Sequence, residues 1–428
     1  METAILIRRH GAKLFPLLSQ STRLLRGLVM VLLVIPALPP RAYGSYDVLL
    51  GLIALTAAFS VGLLAQGTIR FVAHYRGDPQ AQQALLEFVA VLTLALSLAG
   101  GGLAWALSPW LSERLRLPEL LGWAWLIPAV VLLQGLRGLA LHTLQGQERY
   151  GRLLGVESAL NGLFIGLVIG LWAQRALRLE ALLLSFFAAE TLSAVAAWAL
   201  AWPWLPRRLR WHRAYFSSFW AFSRHLALYM LTLQAGQYAD VLLISAYLSP
   251  EQAGLYAAVK RLTDAVALTL LNAINTVVLP RSAVLHAQRD WKGLRRLRRR
   301  AIAYGLILLG PLGLLCLLAA EPIVETLYRG AYAASASVLR LLGLGFGAEV
   351  LYLTGLNVLM GIGRTEWVWR VQLLRLAASM ALYLILIPQY GVLGAALSNL
   401  LAAAAAGAYA QVGLRGLTQP ISSGCATR

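Results

Sequence analysis

The sequence predicts an all-α polytopic membrane protein of about twelve transmembrane helices, arranged as two six-helix lobes related by pseudo-two-fold symmetry. Three observations carry that expectation: an apolar composition, a one-sided distribution of basic residues, and a repeat running through both halves. Of 428 residues, 59% are hydrophobic and 13% charged, against about a quarter charged in a soluble domain. Mean hydropathy is +0.68.

A helix crosses the hydrocarbon with about 20 apolar residues. Six such runs lie at 17–38, 45–67, 84–107, 119–141, 153–172 and 180–202. Six more lie at 224–247, 253–279, 302–320, 336–361, 368–387 and 392–411. None alternates polar with apolar residues, which excludes a transmembrane barrel. The first run follows Arg8, Arg9 and Lys13 and imitates a signal peptide. Arg23 and Arg26 interrupt its apolar stretch, so it reads as an uncleaved first helix.

The net charge of +19 would raise nucleic acid as a partner in a soluble protein. Its distribution argues for topology instead. With the N-terminus inside, the inner segments carry 23 Lys/Arg, the outer loops six and the spans eight. This is the positive-inside pattern, which places both termini in the cytoplasm and makes the run RRLRRR (295–300) a topology anchor. No nucleic-acid partner is expected. Cys316 and Cys425 supply neither a disulfide framework nor metal-ligand spacing, and no cofactor is expected.

The repeat consists of four short matches in order. Pro40, Gly44 and Tyr46 recur as Pro250, Gly254 and Tyr256; His74 and Asp78 recur as His286 and Asp290. Pro109 matches Pro322, and Leu144, Gly146 and Arg149 match Leu359, Gly361 and Arg364. An N-terminal lobe over 1–202 and a C-terminal lobe over 224–428 follow, with 203–223 as a linker. Its arginines among Trp and Tyr read as a helix in the cytoplasmic interface. Two facing lobes with an even number of spans each are the architecture of an alternating-access transporter. Gly162, Gly166 and Gly170 predict a close approach of the fifth helix to a neighbour.

Several stretches resemble one family: RAYGSYDVLLGL (41–52), IRFVAHYRGD (69–78) and LQGQERYGRLL (144–154) in the first half. In the second half they are ADVLLISAYLSPEQAGLYAAVKRL (239–262), PRSAVLHAQRDWKGLRRLRRRA (280–301) and IPQYGVLGAALSN (387–399). The chain resembles polysaccharide or O-antigen flippases, in the superfamily that also holds multidrug exporters and lipid II flippases. That resemblance implies transport of undecaprenyl-diphosphate-linked oligosaccharide across the cytoplasmic (inner) membrane, with polysaccharide polymerase or assembly proteins as partners. It also implies a non-enzymatic transporter. An ion-coupled multidrug exporter is the alternative, and a membrane glycosyltransferase is disfavoured by short outer loops and the lack of any Asp-x-Asp.

Ionisable residues inside spans are functional candidates by default, because insertion costs roughly 2.5–3.5 kcal/mol each. Arg23 and Arg26 share one face of the first helix, Lys260 and Arg261 lie on the eighth, and Arg137 and Arg375 on the fourth and eleventh. Arginine binds phosphate oxygens as a bidentate fork. The resemblance therefore assigns these six to the substrate diphosphate, Arg23, Arg26 and Lys260 first. The competing readings are snorkelling for Arg23 and Arg26, an internal salt pair for Lys260 with Asp264, and an interfacial place for Arg340. No P-loop motif is present, so the candidate drives are a proton or sodium gradient, or downhill movement as later steps consume the product. Asp240, Asp264, Glu157, Glu190 and Glu349 are the coupling candidates, or else partners of arginines on neighbouring helices.

The orientation is checked by cysteine labelling in a cysteine-free background. Gln288→Cys is expected to label only after the membrane is permeabilised, and Ala331→Cys without it.

Overall fold

Among the described residues, 21–415 of this computed structural model, the chain is helical and contains no strand. Twelve long helices follow one another. They begin with α1 (21–37), α2 (Pro40–His74), α3 (Pro79–Ala106), α4 (Leu120–Gly146), α5 (Tyr150–Ala173) and α6 (Leu179–Ala201). Then come α7 (Arg213–Tyr247), α8 (Pro250–Ala287), α9 (Trp291–Leu318) and α10 (Ala336–Gly361). The last two, α11 (365–390) and α12 (391–415), form one run bent at Gly391, where φ is 60°. Among the described residues, nine continuous stretches are long and apolar enough to cross a membrane, α11 and α12 counting as one. The start of the first run, at 17–20, lies outside the described residues, as do Arg8, Arg9, Lys13 and Cys425.

Helix ends lie further out than hydropathy alone places them. α2 has 35 residues, about 52 Å at 1.5 Å per residue, against a hydrocarbon core of about 30 Å. Capping sets these ends. Pro40 occupies the first turn of α2 after an extended Leu38, where a missing N–H does no harm. Asp78 caps α3 by accepting from the N–H groups of Gln80 and Ala81, each at 3.0 Å. The segment 203–223 differs from the expected single interfacial helix. Trp202–Trp204 is one 3-10 turn, 205–212 is irregular, and from Arg213 the chain is already in α7. No Pro or Gly stands between 213 and 235 to separate the two.

The repeated motifs occupy equivalent positions. Asp290 caps α9 as Asp78 caps α3, its Oδ1 accepting from Gly293 N–H at 2.7 Å. Pro109 and Pro322 sit in the first turns of two short helices, Ser108–Arg114 and Ala320–Tyr328. These are followed by left-handed arginines, Arg116 (φ 53°) and Arg329 (φ 52°). α4 and α10 end alike. The N–H of Arg149 donates to Leu144 O at 2.9 Å, and that of Arg364 to Leu359 O at 3.0 Å. Gly146 lies so close to Val72 that a Cβ would come within 2.7 Å, and Gly361 has the same relation to Ser282.

The first motif pair meets itself. A Cβ on Gly44 would overlap the carbonyl oxygen of Pro250, and one on Gly254 would overlap that of Pro40. The opening turns of α2 and α8 thus cross backbone to backbone through two glycines, reciprocally. Tyr43 and Tyr46, beside the crossing, are fully buried.

By its internal contacts the chain divides into two compact units, 1–254 and 255–428. In the first, α3 packs on α4, α4 and α5 on α6, and α7 along α2. Its core includes Leu85, Leu86, Phe88, Ala140 and Leu144. In the second, α10 packs against α9 and the α11–α12 run, and Leu271, Leu309, Phe346 and Val350 form a core. The expected close approach at Gly162, Gly166 and Gly170 is not found: nothing described lies within 4 Å of a Cβ at any of them. α5 instead buries the adjacent face of Asn161, Phe164 and Val168, which is the larger apolar surface.

Gly44→Ala is expected to lower stability by about 3 kcal/mol or more, since backbone cannot yield as a side chain does. Gly166→Ala should stay within about 1 kcal/mol of wild type. Melting of the two purified variants in detergent checks the contrast.

Candidate functional site

An arginine three residues from another on a helix presents both to one neighbour, and α1 does this to α5. Nη2 of Arg23 lies 2.8 Å from Oε1 of Glu157. One step along, Asn161 Nδ2 donates to the hydroxyl of Thr22 at 3.1 Å. Arg26 then lies over the ring of Phe164, 4.3 Å from its centroid, with Phe186 of α6 at 6.0 Å. Glu157, Asn161 and Phe164 follow helical spacing, so the three contacts form a ladder. Arg23 has 64% of its side chain exposed and Glu157 18%. Exposure on that scale leaves the guanidinium open to a further anion, and its planar fork has five N–H donors.

A second pair lies deeper. Nη2 of Arg137 on α4 is 3.2 Å from Oε2 of Glu190 on α6, and both side chains are largely buried. Gln134, one turn earlier on α4, donates to Oε1 of Glu190 at 3.2 Å. The sequence reading did not single out Gln134; its spacing of three from Arg137 was the available signal.

In the second unit, Arg375 of α11 forms a bidentate pair with Glu349 of α10, one arm at 3.0 Å and the other shorter. The guanidinium also covers the ring of Tyr352 at 4.2 Å, and Tyr352 donates to Gln372. Lys260 Nζ lies 5.9 Å from the ring centroid of Tyr256. Asn399 of α12 joins Tyr256 and Tyr383 by hydrogen bonds of 2.5 and 2.8 Å. Arg261 and Asp264 have partners, as does Asp240 of the first unit. Asp240 is fully buried, and one of its oxygens accepts from the N–H of Val241 at 2.9 Å. Arg340 pairs with Glu321 at 2.7 Å, both of them exposed, in keeping with a place at the edge of its span. Burial, opposed by Arg261, pushes the Tyr328 phenol up, so it stays a neutral donor to Ala258 O at 3.2 Å.

Three of the five candidate carboxylates, Glu157, Glu190 and Glu349, are therefore joined to three of the six candidate cations. Each pair links different helices, which sequence spacing cannot show.

Residues 37–337 match the family described as polysaccharide biosynthesis protein. The chain belongs to that family. An uncharacterized membrane protein of Methanocaldococcus jannaschii is 25% identical over 127 residues, which are 30% of this chain and 25% of that protein. Among solved structures, the inward-facing form of a multidrug resistance transporter of the MATE family superposes with TM-score 0.74 at 14% identity, covering 95% and 96% of the chains. The lipid II flippase MurJ in an inward closed conformation gives 0.74 at 14%, covering 94% and 87%. A transporter of the same superfamily from Pyrococcus furiosus gives 0.60 at 16%, covering 96% and 97%. At such identities the likeness establishes the fold. This member of the polysaccharide biosynthesis family is thus a multi-pass membrane protein with the helical fold of those transporters.

Removing one partner of a buried pair leaves the other charge uncompensated. Arg137→Met is expected to destabilise the protein by about 3–5 kcal/mol. Adding Glu190→Gln should recover a large part of that loss, read as a non-additive double-mutant cycle in thermal melts.

Proposed function

We propose that this protein flips an undecaprenyl-diphosphate-linked oligosaccharide across the cytoplasmic membrane, for assembly of a surface polysaccharide such as O-antigen, capsule or exopolysaccharide. The single observation behind the reading is the α1 arginine pair in a chain of the polysaccharide biosynthesis family. Arg23 keeps most of its side chain exposed while holding Glu157, and Arg26 lies three residues on. A diphosphate offers stronger, multiply charged acceptors than one carboxylate. It can therefore compete with Glu157 for Arg23, and Glu157 is in this reading a candidate site for the coupling ion.

In this reading the lobes 1–202 and 224–428, joined by 203–223, work by alternating access with both termini cytoplasmic. Lys260, Arg261, Arg137 and Arg375 are further cations for the headgroup, and Asp240 and Asp264 further sites for a coupling proton or sodium ion. A polymerase or assembly protein would take the product from the outer leaflet.

Deletion of the gene is expected to raise lipid-linked oligosaccharide on the inner leaflet and to remove glycan from the surface. Wild type should restore both. Arg23→Ala with Arg26→Ala should restore them at least about tenfold less well, given about 1.5–3 kcal/mol per charged hydrogen bond. Unchanged lipid-linked sugar together with altered dye efflux would replace the flippase by a drug exporter.

A further inference from the structure

The first unit holds a groove that the charge pairs above do not use. Its volume is about 270 Å³, and its walls are Ala90 and Leu94 of α3, Leu136 and Leu139 of α4, and Trp198 of α6. The irregular strap 205–212 closes one side, bringing Pro206, Arg207, Arg208 and Leu209 to the rim. The strap is pinned at both ends. Gln83 Nε2 donates to Leu205 O at 3.3 Å, and Leu205 is buried. At the far end His212 Nε2 lies 2.9 Å from Glu87 Oε2, and Trp211 packs on Phe88 with centroids 5.0 Å apart. Between these anchors Arg207, Arg208 and Arg210 are exposed. The indole of Trp198 donates a 2.9 Å hydrogen bond to Leu136 O, which orients its ring in the apolar wall.

The surroundings match a membrane–water boundary. Trp202, Leu209 and Trp211 are exposed large apolar side chains beside the arginines. Arg149 and Arg152 both lie over the ring of Trp204, at 5.3 and 4.9 Å. Five arginines thus gather at one end of α4–α6, and among the described residues no carboxylate lines the groove.

We propose that this groove is a binding site for an anionic phospholipid of the leaflet those arginines face. Part of one acyl chain lies against Leu94, Leu136, Leu139 and Trp198, and the phosphate is held by Arg207 and Arg208. Charge complementarity selects an anionic lipid over a zwitterionic one, because a balanced headgroup brings its own cation to the arginines. The apolar lining selects a lipid over free phosphate, which would gain nothing from those walls. The site involves neither Arg23 nor Arg26 and stands independently of which substrate is carried.

The full-length protein in neutral detergent is titrated with phosphatidylglycerol, with phosphatidylcholine and with inorganic phosphate, and its melting temperature followed. The shift with phosphatidylglycerol should be at least about twofold larger than with phosphatidylcholine, and absent with phosphate. The exposed double variant R207Q/R208Q should bring the first shift down to the second. Leu94→Trp, which fills the groove and leaves both arginines, should reduce both lipid shifts. A phosphatidylglycerol shift undiminished in R207Q/R208Q, or one reproduced by phosphate alone, overturns the proposal.

Discussion

A guanidinium in hydrocarbon has to be answered, and this constraint organises the molecule. Water is absent from the membrane core, so a charge there keeps its partners or forces its helix out of register. Arg23, Arg137 and Arg375 each find a glutamate on another helix, and Arg26 finds the face of a phenylalanine. These contacts fix how α1 sits on α5, α4 on α6 and α11 on α10. A buried ion pair seldom adds much net stability. Its effect is to penalise every arrangement in which the partners are apart, so the pairs act as registers between helices.

Backbone approach supplies the second constraint. Where α2 and α8 cross, Gly44 and Gly254 each occupy the space in which the other turn's carbonyl would meet a side chain. Leucine-rich helices have no hydrophobic drive to associate within lipid, so close contact of this kind supplies the van der Waals energy that burial supplies in water. The same glycine in both copies of one motif makes the crossing reciprocal. Capping aspartates and left-handed residues also repeat at matching points of the two halves.

Much of this was legible in the sequence, for identifiable reasons. Span count follows from run length, and the pairing of Pro40 with Pro250 or Asp78 with Asp290 follows from comparing halves. Arg23 and Arg26 share a face because helical spacing is local information. The partners were not legible, since Glu157 lies 134 residues from Arg23 and no spacing rule reaches that far. The glycines of α5 misled because a stripe of small residues reads the same whether it faces a helix or the membrane. The strap 205–212 was missed because arginine beside tryptophan signals an interface without saying whether the backbone there is helical.

The Arg23–Glu157 pair also sets a schedule. Membrane helices leave the ribosome in order, and at about 5–20 residues per second the 134 residues between the partners take roughly 7–27 s to make. Through that interval α1 holds two arginines with α5 not yet synthesised. The ion pair that later positions α1 therefore cannot form until the fifth helix has been made, so a contact between two helices of the finished fold is also a waiting time during its synthesis.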